Sequence, residues 1–154
     1  MFKTVSTNPD FPNLEKDVLR QWKDGDLYNK TLANRANGPR FVFYEGPPTA
    51  NGMPHPGHCL TRAIKDLYPR YKTMKGFLCE RKAGWDTHGL PVELGVEKEL
   101  GITKEDIGTK LSIEAYNEAC REAVMRYTDI WNDLTRKMGY WVDMDEPYVT
   151  YENK

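Results

Sequence analysis

A chain of 154 residues is long enough for one domain with a sizeable core, since roughly 70% of the unfolded surface can be buried at that length. With 22 basic and 23 acidic residues the net charge is -1, so no global electrostatic argument selects nucleic acid, a membrane surface or an acidic ligand. The three cysteines, Cys59, Cys79 and Cys120, are widely spaced without a C-x-x-C and read as free thiols in a reducing compartment, not as a disulfide framework.

Residues 1–10 carry no apolar core of signal-peptide length, and no run approaches the ~20 apolar residues of a membrane span. The expectation is a soluble, cytoplasmic protein. Pro12 or Asn13 opens a helix in which Leu14, Val18 and Trp22 recur at four-residue spacing, with Gly25 placed to end it. A shorter helical piece over 26–34 presents Leu27 and Leu32. These predict an N-terminal helical appendage at 1–38, packed on a main domain at 39–154. A turn at 35–39 leads into a strand at 40–45.

That strand runs into Gly46-Pro47-Pro48-Thr49-Ala50-Asn51-Gly52 and releases into a helical pattern with His55-Pro56-Gly57-His58 at its mouth. Strand, loop and helix N-terminus aim backbone N–H groups and the positive end of a helix dipole at one spot, where the usual guest is a phosphate. Two imidazoles three residues apart add donors there, and Gly57 leaves room for close approach. From His58, Leu60, Ile64, Leu67, Tyr71 and Met74 keep helical spacing with Arg62, Lys65, Asp66, Arg70 and Lys72 between them, predicting a buried apolar face. Pro69 inside the pattern predicts a bend or break near Tyr68. Gly76 closes the segment, and 77–82 reads as a second strand, parallel to the first because the crossover is long. The result is a right-handed βαβ unit, and hence an α/β fold.

Further on, Pro91 suits a first helical turn, 92–100 is helix-compatible and Gly101 can cap its end. Thr103 to Asp106 has the form of a capping box. Ile113, Tyr116, Cys120, Val124, Tyr127, Trp131, Leu134 and Met138 step by three or four, predicting one long helix capped by Ser112 and Gly139. The tail at 140–154 reads as extended. There is no internal repeat, no G-x-G-x-x-G and no P-loop, so a phosphate site would have to be the His-containing one.

The stretch ending in His55-Pro56-Gly57-His58 resembles the His-x-Gly-His signature of class I aminoacyl-tRNA synthetases, and Gly46 to Gly52 resembles the isoleucyl enzymes in particular. A second block, Arg81-Lys82-Ala83-Gly84-Trp85-Asp86-Thr87-His88-Gly89-Leu90-Pro91, resembles the same family. The likeness runs from about Asn13 to the end. It implies the first half of a Rossmann-like class I catalytic domain, a parallel βαβ with a helical N-terminal appendage and a long C-terminal helix. The activity implied is ATP-dependent conversion of isoleucine to isoleucyl-adenylate, with Mg2+ accompanying the ATP, followed by transfer to tRNA(Ile). Carried onto this sequence, His55 and His58 are catalytic, His55, Gly57 and His58 bind ATP, Gly46 and Pro47 wall the side-chain pocket, and Asp86 meets the α-amino group. Pro56 stands where the family usually has an aliphatic residue, and a first helical turn accepts it. No metal site is expected, because His55, His58 and Cys59 lack a second ligand pair.

Taken alone, Asp86 also suits a turn or an N-cap ahead of Pro91, and His88 could orient Asp86 or pack beneath it. Trp85, Trp131 and Trp141 read as core, and Lys65, Arg70, Lys72, Lys75, Arg81 and Lys82 as a solvated face instead of an RNA contact. The Lys-Met-Ser-Lys-Ser signature is absent, as is any editing region to separate isoleucine from valine, for which one methylene is too little. The chain by itself is therefore expected not to charge tRNA, and to expose an apolar sheet edge where further chain would dock. The alternatives are a non-catalytic nucleotide-binding remnant and a valyl- or leucyl-type fragment.

Overall fold

The computed structural model describes residues 4–152. Asp10 accepts from the Asn13 N–H at 3.2 Å and so caps α1, Phe11–Asp24; α2, Leu27–Ala33, follows after Asp26 in the left-handed region. Both lie against the rest of the chain. Trp22 meets Trp141 edge-on at 5.2 Å, the Tyr28 hydroxyl donates to the Arg81 carbonyl at 3.4 Å, and Arg35 Nε donates to the Thr73 carbonyl at 3.0 Å.

The strand expected at 40–45 does not form: the segment makes one isolated parallel bridge, Arg40 to Leu78, closed by the Phe41 N–H on the Leu78 carbonyl at 2.9 Å. Val42 and Tyr44 are 65% and 90% exposed. After α3, Pro56–Met74, comes β1, Lys82–Trp85. This strand shares only Lys82 with the 77–82 read from sequence, where Leu78 makes just the bridge to Arg40. Its partner explains the shift: β2, Asp143–Val149, runs parallel to it in the register Lys82 to Asp143, Gly84 to Tyr148 and Trp85 to Val149. Between them, α4, Leu90–Leu100, ends at a left-handed Gly101 and packs on α5, Ile113–Met125. Ser112 caps α5 through the Ala115 N–H at 3.1 Å, and the Thr103 and Asp106 box closes a short 3-10 turn at Lys104–Asp106.

The single long helix expected at 112–139 is two helices. α6, Thr128–Lys137, starts anew because the Tyr127 N–H leaves the helical ladder and donates to the Ala50 carbonyl at 3.2 Å, while Thr128 Oγ1 donates to the Met125 carbonyl at 2.9 Å. That detour ties the helix pair to the Gly46–Gly52 loop. Conversely, α3 is not broken at Pro69. The proline ring is fully buried and its carbonyl accepts from Thr73 Oγ1 at 2.8 Å, so ring burial offsets the missing N–H bond. Ala50, Trp85, Trp131 and Val149 form the core, with Met125, Tyr127 and Tyr151 against it.

One expectation is inverted. The apolar stripe of α3 faces outward, with Leu60 65%, Ile64 51%, Leu67 60%, Tyr71 51% and Met74 74% exposed. Its polar face is turned inward because opposite charges wait there. Lys65 Nζ reaches Glu45 at 2.6 Å, Asp66 pairs with Arg81 at 3.3 Å and with Arg70 at 2.5 Å, and Arg62 is buried against Thr135. Of the group read as a solvated face, Arg81 is buried and Lys65 and Arg70 are half-buried ion-pair members, while Lys75 and Lys82 are exposed. Among the described residues, no helix is long and apolar enough to cross a membrane.

Urea unfolding separates the two faces. Ile64→Gln is expected to change stability by no more than about 0.5 kcal/mol, because that side chain buries little, whereas Trp131→Ala removes a 1%-exposed core ring and costs about 3–5 kcal/mol.

Candidate active site

The His55-Pro56-Gly57-His58 stretch forms the first turn of α3. His55 is the N-cap in extended backbone, and Pro56 takes the first helical position, where its missing N–H costs nothing. The two imidazoles cap reciprocally: His55 Nδ1 accepts from the Gly57 N–H at 3.1 Å, and the His55 N–H donates to His58 Nδ1 at 3.2 Å. Their rings lie 3.7 Å apart at 33°. Because both Nδ1 atoms accept, each neutral ring carries its proton on Nε2.

The donors on offer therefore differ from those expected. The first-turn N–H groups are consumed internally, Gly57 by His55 Nδ1 and His58 by the His55 carbonyl at 2.9 Å. What remains is a pair of Nε2–H groups beside the positive end of the helix.

Trp131 supports this pair from below, a role that helical spacing could not reveal. His58 meets its ring edge-on at 4.7 Å, the Arg62 guanidinium lies 4.8 Å from its centroid, and its indole N–H donates to the Gly52 carbonyl at 2.9 Å. Burial, then His55, then Arg62 push the His58 pKa below its ordinary 6.5.

Asp86 directly follows β1. Its N–H donates to the Pro48 carbonyl at 2.9 Å, which fixes the aspartate beside the Gly46–Gly52 loop. Among the described residues the carboxylate accepts one long bond, 3.4 Å from the His88 N–H. The His88 ring bonds Thr150 Oγ1 at 2.9 Å. Thr87 also holds Thr150, through its N–H at 2.9 Å and its hydroxyl at 2.8 Å. This knot between 86–88 and the end of β2 carries no sequence signal, since threonines at such separation share no motif.

Gly46 lies under Lys65 Nζ, which donates to its carbonyl at 2.7 Å. Pro47 lines an open groove of about 720 Å3 together with Tyr28, Tyr44, Gly84 and Tyr148. The structure thus brings His55 to His58, Asp86 to Pro48 and Gly46 to Lys65. Among the described residues no hydrogen bond or ring contact joins Asp86 to either imidazole; Trp131 and the loop carbonyls link the two. No group of three or more His, Cys, Asp or Glu among the described residues could hold a metal ion.

The family model for tRNA synthetases class I (I, L, M and V) matches residues 17–154. Curated relatives include the isoleucine–tRNA ligase of Porphyromonas gingivalis, 61% identical over 94% of this chain and 13% of that protein. The enzyme of the same name from Bacteroides thetaiotaomicron is 59% identical over 94% and 12%, and that of Clostridium novyi 50% identical over 99% and 15%. The chain thus spans 12–15% of the length of these relatives.

The depressed His58 pKa fixes the sign of a pH effect. The unfolded chain takes up a proton near pH 6.5 that the folded one resists, so stability is full above about pH 7 and is lost as pH falls below the unfolded value. Calorimetric melts between pH 8 and 5.5 are expected to show this decline, and His58→Gln to flatten it.

Proposed function

The chain belongs to the class I tRNA synthetases (I, L, M and V), and on that premise we propose that it supplies the ATP site and part of the amino-acid pocket of an isoleucine–tRNA ligase. The observation that carries the reading is the reciprocally capped imidazole pair, whose Nδ1 atoms are both taken so that the Nε2–H groups are the donors left at the start of α3. High identity to ligases named for isoleucine supports the choice of amino acid.

In the reaction, a carboxylate oxygen of isoleucine attacks the α-phosphorus of ATP, the bond to the β-phosphate oxygen breaks, and pyrophosphate leaves. Charge spreads over the non-bridging oxygens, and His55 and His58 donate to it from fixed positions that need no reorganisation. Mg2+ would come with the ATP, held by its phosphate oxygens and not by a side-chain cluster among the described residues, and would supply charge neutralisation there. Gly57 lets the nucleotide approach the backbone, Asp86 pairs with the α-ammonium, and Gly46 and Pro47 wall the side chain. A tRNA(Ile) hydroxyl then takes the isoleucyl group from the adenylate. Residues 39–154 form the first half of the catalytic domain in this reading, and 1–38 its appendage. The bare 40–45 edge and the outward stripe of α3 are where further chain packs.

Calorimetric titration tests this. ATP and isoleucine are expected to bind with linkage, with valine and leucine weaker, and Asp86→Ala to lower isoleucine affinity at least tenfold while ATP affinity stays within about threefold. ATP binding indifferent to isoleucine would instead favour a nucleotide-binding remnant. The chain alone is expected to give no aminoacyl-tRNA, and measured charging by the purified 154-residue chain would overturn that expectation.

A further inference from the structure

Lys65 lies on α3 about two turns beyond His58, with its side chain only 26% exposed. Its Nζ makes two contacts, 2.6 Å to Glu45 Oε1 and 2.7 Å to the Gly46 carbonyl. Glu45 itself is 13% exposed and accepts a second hydrogen bond from the Tyr140 hydroxyl, which stands just ahead of β2. Burial, then Glu45, raise the Tyr140 pKa, so this hydroxyl keeps its proton and donates. Three parts of the chain therefore meet at one carboxylate: the helix that carries the imidazoles, the end of the 40–45 segment and the approach to β2.

Resting on the ligase reading above, we propose that Lys65 is a positioning residue for the amino-acid site. By holding the Glu45 carboxylate and the Gly46 carbonyl together, it fixes the Gly46–Pro47 wall relative to α3. The wall continues directly into Pro48, whose carbonyl takes the Asp86 N–H at 2.9 Å. Lys65 thus sets both the side-chain wall and the aspartate for the ammonium, without touching either ligand. Neutral methionine keeps the aliphatic stem but gives up both contacts, and arginine can restore one or both.

The test uses the full chain, with isoleucine and ATP titrated separately and amide exchange read by NMR. Lys65→Met is expected to weaken isoleucine at least tenfold, leave ATP within about twofold, and speed exchange of the Asp86 amide at least tenfold; Lys65→Arg is expected to recover much of each. Glu45→Gln, which keeps an acceptor for Tyr140, should shift both readouts the same way and serves if Lys65→Met does not fold. Unchanged isoleucine affinity, equal losses of isoleucine and ATP, or an unchanged Asp86 exchange rate each overturn the proposal. If the wild-type chain binds no isoleucine, the ligase reading fails, and the Asp86 exchange rate alone decides whether Lys65 positions the loop.

Discussion

The polar face of α3 is fastened to Glu45 in the 40–45 segment, to Arg81 just ahead of β1 and to Thr135 on α6, and the rest of the architecture hangs from that attachment. Asp66 sits between Arg81 and Arg70; Glu45 sits between Lys65 and Tyr140. The Arg81 side chain is 4% exposed, and it donates to Asp66, to the Trp141 carbonyl and to Thr73 Oγ1. Its Nε has no partner among the described residues, an omission that typically costs about 1–3 kcal/mol. Nη1 and Nη2 carry three hydrogen bonds between them, and Asp66 opposes the pull of burial toward the neutral form. Removing one member of such a pair costs about 3–5 kcal/mol because its partner is left buried and uncompensated. The attachment also reaches the N-terminal helices, since the Arg70 guanidinium lies 4.1 Å from the Trp141 ring and 5.2 Å from that of Trp22.

Fixing α3 fixes its N-terminus, and with it the imidazole pair. Trp131 does the same from the other side, holding His58, Arg62 and the Gly52 carbonyl on one indole. The loop between the 40–45 segment and α3 is therefore held at both ends, by Lys65 at Gly46 and by Trp131 at Gly52, with the Ala50 carbonyl tied to Tyr127 between them. A loop held this way is preorganised, which is what charge stabilisation at a phosphorus requires.

Local signals were legible in the sequence. Ser112, Gly101 and the Thr103 and Asp106 box act where their side chains and backbone preferences put them, because caps depend on neighbours a few residues away. The His55 to His58 turn and Asp86 were visible as motif positions. What was not legible depends on distant partners. Periodicity marks two faces on α3 but not which one turns inward, which Glu45, Arg81 and Thr135 decide. The same holds for the interruption at Tyr127, which follows from the Ala50 carbonyl, and for the Thr87 and Thr150 knot beside Asp86.

Hydroxyl-radical footprinting with residue-level mass spectrometry addresses the inverted helix most directly. If α3 is anchored by its charged face, Leu67, Tyr71 and Met74 oxidise readily in the folded chain while Pro69, Cys79 and Trp131 stay protected. Protection of the Leu67, Tyr71 and Met74 stripe in the isolated monomer, with oxidation at Pro69, would contradict the account, because the apolar face would then be the one turned to the core.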